Sequence, residues 1–182
     1  MKYLASGLAL VLLATPALAQ SIGEKTGVNS TLGITPATAD FVKEAATSDM
    51  FEIQSSQLAR ERGNASEKSF AATMIADHQK TSDELKSMIS SGDVKAELPT
   101  GLDSSHQSEI DRLKSLKGAD FSSRYDSDQL SGHKDAVSLF ERYAKGGDNS
   151  KLKGWADKML PTLRHHLEMA QDLTSGKTVG SH

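Results

Sequence analysis

Three observations predict an all-α fold, a four-helix core with one additional short helix. Apolar residues recur at three- and four-residue spacing through five successive segments. No run alternates with period two over a useful length. Glycines fall where the first four periodic segments stop. Helices one, two and four are long enough to cross a bundle, the fifth can do so with a kink, and the third is too short.

The elements follow in order. The opening MKYLASGLALVLLATPALAQ has a positive start at Lys2, a mostly apolar run from Leu4 to Leu13, and a small-x-small site at Ala17-Leu18-Ala19. These are the parts of a signal peptide over residues 1–19, with cleavage expected before Gln20. The run is too short to span a bilayer, and no cysteine follows Ala19 to carry a lipid. Residues 20–34, rich in Gly, Ser, Thr and Asn, are expected to be a flexible leader. The helical domain is expected over residues 35–174.

Thr35-Pro36 reads as an N-cap followed by proline at the first helical position, with helix one running to about Arg62. Phe41, Ala45, Ser48, Glu52, Ser55 and Ala59 share its inner face, and Gly63 is expected to end it in the left-handed conformation. Asn64 with Glu67 forms a capping box for helix two, whose stripe is Phe70, Met74, His78, Leu85 and Met88. The connection from Gly92 to Gly101 is short for a crossing link and suits antiparallel neighbours. Helix three, about Asp103 to Lys117, turns Leu102, His106, Ile110, Leu113 and Leu116 inward before Gly118 stops it. Asp120 is expected to cap helix four, which aligns Phe121, Tyr125, Gln129, His133, Val137 and Phe140 and closes at Gly146-Gly147. Asn149 or Ser150 starts helix five, with Leu152, Trp155, Met159, Leu163 and either His166 or Leu167 on one side. Pro161 should kink or break it near Leu160. Residues 175–182 are expected to form a flexible tail.

The 182-residue chain has no cysteine, which excludes disulfides, thiolate ligands and cysteine nucleophiles. Its formal charge of -3, with lysines mixed among acids, argues against nucleic-acid binding. No transmembrane anchor is expected after signal removal, and no long exposed apolar stripe demands a dimer. A monomer or weak oligomer in the periplasm is the expectation.

His78, His106, His133 and His166 lie on the apolar faces of four different helices, and Glu52 lies on a comparable face of a fifth. Two readings account for them. The imidazoles and the carboxylate can bind a transition metal such as zinc, iron, copper or manganese, with Asp49, Asp77 or Glu109 orienting the rings. Alternatively they form a hydrogen-bonded or pH-responsive interior in a structural or protein-interaction module, with Tyr125, Ser48 and Ser55 as partners. His165 points about 100° away from His166, so the two exchange roles if the register is off by one. The serine pairs lack a nucleophile-elbow setting, and Gly146-Gly147 lacks the lysine of a phosphate loop. Nothing identifies a catalytic residue, so enzymatic activity stays open.

The pieces FEIQSSQLARERG, FAATMIADHQKT, LKGADFSSRYDSDQLSGHKDAVSLFERYAKGGDN and WADKMLPTLRHHLEMAQDL, in this order, resemble the DUF4142 family of exported bacterial proteins. The resemblance covers about Pro36 to Leu173. It implies a ferritin-like helical bundle in which His78, His106, His133 and His166 match characteristic histidine positions and Glu52 an acidic one. It implies no settled reaction. The family's outer-membrane label sits poorly with a chain that has no barrel pattern. The Glu-x-x-His pairs of di-iron ferritins are also missing here, since Ile75, Leu130 and Leu163 stand three residues before the histidines. A mononuclear, histidine-rich site is the better match. The expected role is metal binding in envelope homeostasis or stress tolerance.

Overall fold

The computed structural model describes residues 32–177. Five helices and no strand occur among them: α1 (Thr38–Arg62), α2 (Ala65–Ser90), α3 (Ser104–Ser115), α4 (Gly118–Gly146) and α5 (Ser150–Thr174). The expected signal peptide, most of the expected leader and the end of the expected tail lie outside the described residues.

Capping chemistry explains several boundaries. The Asn64 side chain accepts from the Glu67 amide, and Glu67 accepts from the Asn64 amide, so the expected capping box opens α2. Asp103 accepts from the Ser105 and His106 amides at the start of α3, and Asn149 from the Leu152 amide at the start of α5.

Four boundaries differ from expectation. Thr35-Pro36 does not start α1; Ala37 is its N-cap with no side-chain bond, and the Thr35 hydroxyl reaches the Arg142 carbonyl on α4 instead. Gly118 is the first residue of α4, with φ of 54°, and Asp120 sits inside the first turn, where its charge suits the helix dipole. Gly63 has φ of -72° and is extended, not left-handed. A Cβ there would stand 2.6 Å from the Ala59 carbonyl oxygen and 2.8 Å from the Glu67 Cβ, so glycine is needed for close approach. Finally, α5 runs unbroken through Pro161. That ring lies on the exposed side, and burial of Trp155, Leu160, Leu163 and Leu173 holds both halves against the bundle.

The interior is layered. One apolar cluster joins Phe41, Val42 and Ala45 of α1 to Leu85 of α2, Phe140 and Tyr143 of α4, and Leu152 to Leu163 of α5. The other joins Ala59 of α1 to Phe70 and Met74 of α2, Phe121 and Tyr125 of α4, and Met169 to Leu173 of α5. Between them every long helix contributes buried polar groups: Glu52 and Ser55, His78, Gln129 and His133, and His166. The order of apolar, polar and apolar segments fixes directions. Helices α1 and α5 run one way, and α2 and α4 the other.

Since α2 and α4 are parallel, the chain must travel back between them. Helix α3 makes that return alongside α1: His106 packs on Phe51, and Arg62 reaches the Leu113, Lys114 and Leu116 carbonyls. Thus α3 packs on α1 and α4, and the Gly92–Gly101 connection does not lay it against α2 as expected.

Candidate metal centre

His78, His133 and His166 come from α2, α4 and α5, and each is at most 4% exposed. One ring nitrogen from each lies within 4.8 Å of the other two. Ring centroids are 5.9 Å apart for His78 and His133, and 5.5 Å for each of the other pairs.

Each ring is oriented by an oxygen acceptor. His78 Nδ1 lies 2.7 Å from Asp49 Oδ1, and Asp49 Oδ2 accepts in turn from Thr81 and Ser82. His133 Nδ1 donates to the Gln129 carbonyl at 2.9 Å. His166 Nε2 lies 2.9 Å from Asp77 Oδ2. In a neutral imidazole a donating nitrogen leaves the opposite one as a lone pair. Those opposite atoms, His78 Nε2, His133 Nε2 and His166 Nδ1, are buried and find no hydrogen-bond partner among the described residues. Three ring nitrogens tied to oxygens, with the opposite three left free to act as lone pairs once each ring is neutral, form the arrangement in which proteins hold imidazole ligands.

Glu52, 2% exposed, stands beside this group. Its Oε2 also has no hydrogen-bond partner among the described residues. It is not one of the three converging ligands, yet it faces His78 closely enough for their charges to interact.

The protonation states follow from burial and from this geometry. Burial pushes Glu52 up to about 7, against the pull of the His78 charge and a hydrogen bond from Gln129. Burial and the neighbouring His78 and His166 charges push His133 down to about 3. Burial and the His78 charge push His166 down to about 4. Burial also works against protonation of His78, but the Asp49 hydrogen bond and charge outweigh it, so its pKa rises above the ordinary value. At neutral pH two of the three rings are therefore already in the neutral form that a metal requires.

A tetrahedral ion with bonds of about 2.0–2.1 Å holds its ligand nitrogens about 3.3 Å apart. Drawing the rings together by roughly 1.5 Å at most would reach that spacing. Their lone pairs converge, the acceptors behind them are in place, and the donor set of nitrogen and oxygen suits zinc, iron, copper or manganese. The residues fit a transition metal.

His106 stands apart. It is half-buried on α3, with Nδ1 3.0 Å from Asp103 Oδ1 and its ring 5.5 Å from Phe51. His166 rather than His165 faces inward, and His165 is exposed. Tyr125 bonds Ser56 at 3.1 Å, not His133 or Glu52. Glu109 lies on the wall of an outer cleft, while Asp49 and Asp77 hold rings as expected. Sequence reasoning missed Thr81, Ser82 and Gly132. A helix-interior glycine beside a buried histidine was the available signal for Gly132, because glycine there costs stability unless space is needed. A Cβ on Gly132 would stand 3.4 Å from Glu52 Oε1.

Fold and site together define an all-α bundle with a buried tri-histidine group in a polar layer between two apolar ones. A family model described as a domain of unknown function, DUF4142, matches residues 23–173, and the chain belongs to that family. The chain matches no curated protein. It also matches no solved structure.

Proposed function

We propose that this protein binds one transition-metal ion through His78, His133 and His166, with Glu52 as the adjacent carboxylate. One observation carries the reading. Three histidines converge within 4.8 Å, each with a buried ring nitrogen that has no hydrogen-bond partner among the described residues, and the nearby Glu52 carries a buried oxygen in the same condition. A hydrogen-bonded polar interior would pair these atoms, because an unsatisfied buried polar group costs about 1–3 kcal/mol. The three imidazole nitrogens are explained by an ion that all three hold, with the Glu52 carboxyl close enough to His78 to add its charge. His106 is left out of the ligand set.

The family resemblance and the signal-like opening support an exported, periplasmic setting. The parallel α2 and α4 joined by a single return segment support a ferritin-like arrangement, in which one long crossover is the distinguishing connection. The donor set supports a mononuclear centre over a carboxylate-bridged pair, since one carboxylate lies beside three imidazoles. Binding and holding metal in the cell envelope, in homeostasis or stress tolerance, is the role these features support.

The test is bound metal, measured by mass spectrometry on untagged protein after exposure to zinc, copper, iron and manganese in turn. One ion per chain is expected, lost on His78→Ala or His133→Ala and retained on His106→Ala. Wild-type protein that takes up none of the four would end the proposal.

A further inference from the structure

Between α1, α3 and α4 the surface opens into a cleft of about 670 Å³. Six of its lining residues are carboxylates, Glu44, Glu52, Asp103, Glu109, Asp128 and Asp135, against two guanidiniums. One of those, Arg124, is tied to Asp128 at 2.7 Å. Acidic walls alone would mark nothing. The decisive group is Glu52, which lines the cleft while being 2% exposed and carrying a buried oxygen with no hydrogen-bond partner among the described residues. It faces outward to the cleft and inward to His78.

The inner side supplies an independent observation. A second, partly open cavity of about 30 Å³, room enough for a water, is lined by His78 and His166 and by their acceptors Asp49 and Asp77, though not by His133. Ser48, Ala136 and Leu139 line both this void and the outer cleft. The partition between solvent and histidines is therefore one side chain thick at these positions. Two of its three members are small, and Gly132, beside Glu52, has no side chain at all. Elsewhere the two apolar clusters seal the polar layer above and below.

We propose that this cleft is the port through which a hydrated divalent cation reaches the histidine triad, with Glu52 as the last carboxylate before the imidazoles. The inference rests on the metal-binding reading and adds the path. Carboxylates along the walls raise the local cation concentration and stand in for lost hydration oxygens. At Gly132 the path passes Glu52, and at Ser48 and Ala136 it crosses the partition. A route of this kind controls rates in both directions. Narrowing it slows capture and release alike and leaves the equilibrium affinity in place.

The experiment uses Co²⁺ alone as the probe, with uptake by untagged protein and release to excess chelator followed by stopped-flow absorbance. Gly132→Val is expected to slow uptake and release together by tenfold or more, with one ion still bound at the end. Glu109→Gln combined with Asp135→Asn, both on the outer wall, is expected to slow uptake several-fold at low salt. It should also flatten the fall in rate that added salt causes in the wild type. The double variant replaces one exposed and one half-buried carboxyl with amides of the same shape and leaves the core untouched, so the test survives if Gly132→Val does not fold. Wild type that loads cobalt while the double variant loads at the same rate and with the same salt dependence overturns the port and leaves the metal site standing. Wild type that never loads cobalt, zinc, copper, iron or manganese overturns both.

Discussion

At the residue scale, the site trades stability for ligand chemistry, and Glu52 shows it most directly. Its carboxyl is held near 7 by burial against an ordinary 4.5. The folded state therefore keeps a proton that the unfolded chain releases. The stabilising contribution is complete below about pH 4.5 and is lost as pH rises through about 7. Glu52→Gln keeps the shape and removes the charge. In metal-free protein it is expected to raise stability at pH 8 by roughly 2–3 kcal/mol and to change little at pH 4. Urea unfolding at the two pH values checks this, and equal effects at both would contradict it. His133 and His166 have the opposite sign. Unfolded rings take a proton at about 6.5, but the folded ones do so only near 3 and 4, so their contribution is whole above 6.5 and lost as pH falls. Much of this site was legible in the sequence, because helical spacing places a side chain on a face. It does not set depth along the axis or which way a connecting helix runs. His78, His133 and His166 share a level because α2, α4 and α5 stack in register. His106 sits on an apolar stripe too, but α3 lies outside that stack, on α1 and α4, and its imidazole turns to Asp103.

At the scale of elements, what the sequence pattern conveyed best was local. Capping boxes and Asx caps use near neighbours in sequence: the Asn64–Glu67 box behaves as read, while Asp103 and Asn149, read only as helix starts, turn out to be N-caps. Tertiary packing overrode local preference elsewhere. Pro161 is expected to kink or break the helix; no break occurs, because burial on both sides of the proline outweighs one lost backbone bond. Gly63 was read as a conformational stop, whereas its missing side chain admits Ala59 and Glu67 at the α1–α2 corner. Gly63→Ala is therefore expected to destabilise by about 1–3 kcal/mol through overpacking, although its φ suits alanine. A thermal melt unchanged from wild type would show that the corner relaxes without cost.

At the scale of the whole molecule, the polar layer is a seam of weak cohesion between two apolar clusters, and a bound ion would hold it together. With free zinc at about a hundredfold over its Kd, binding adds about 2.7 kcal/mol. In a chain of this size that raises Tm by roughly 5–11 °C. The gain should reverse with chelator. It should also shrink as pH falls through about 7, where Glu52 takes up a proton, and the raised His78 pKa adds to the competition between protons and the ion. Calorimetry across pH 5 to 8 measures this. A melting temperature indifferent to zinc at pH 7.5 would argue against a site in the folded interior.

The return path of α3 has a consequence for assembly. It divides the chain into two antiparallel hairpins, α1–α2 before it and α4–α5 after it. His78 belongs to the first, His133 and His166 to the second. Neither hairpin alone owns a complete ligand set. An ion gripped by all three rings is thus a clasp that can snap shut only after the halves have met. If the chain is exported and binds metal as proposed, it would hold no such clasp while threading through a membrane in extended form, and the ion would be collected on the far side.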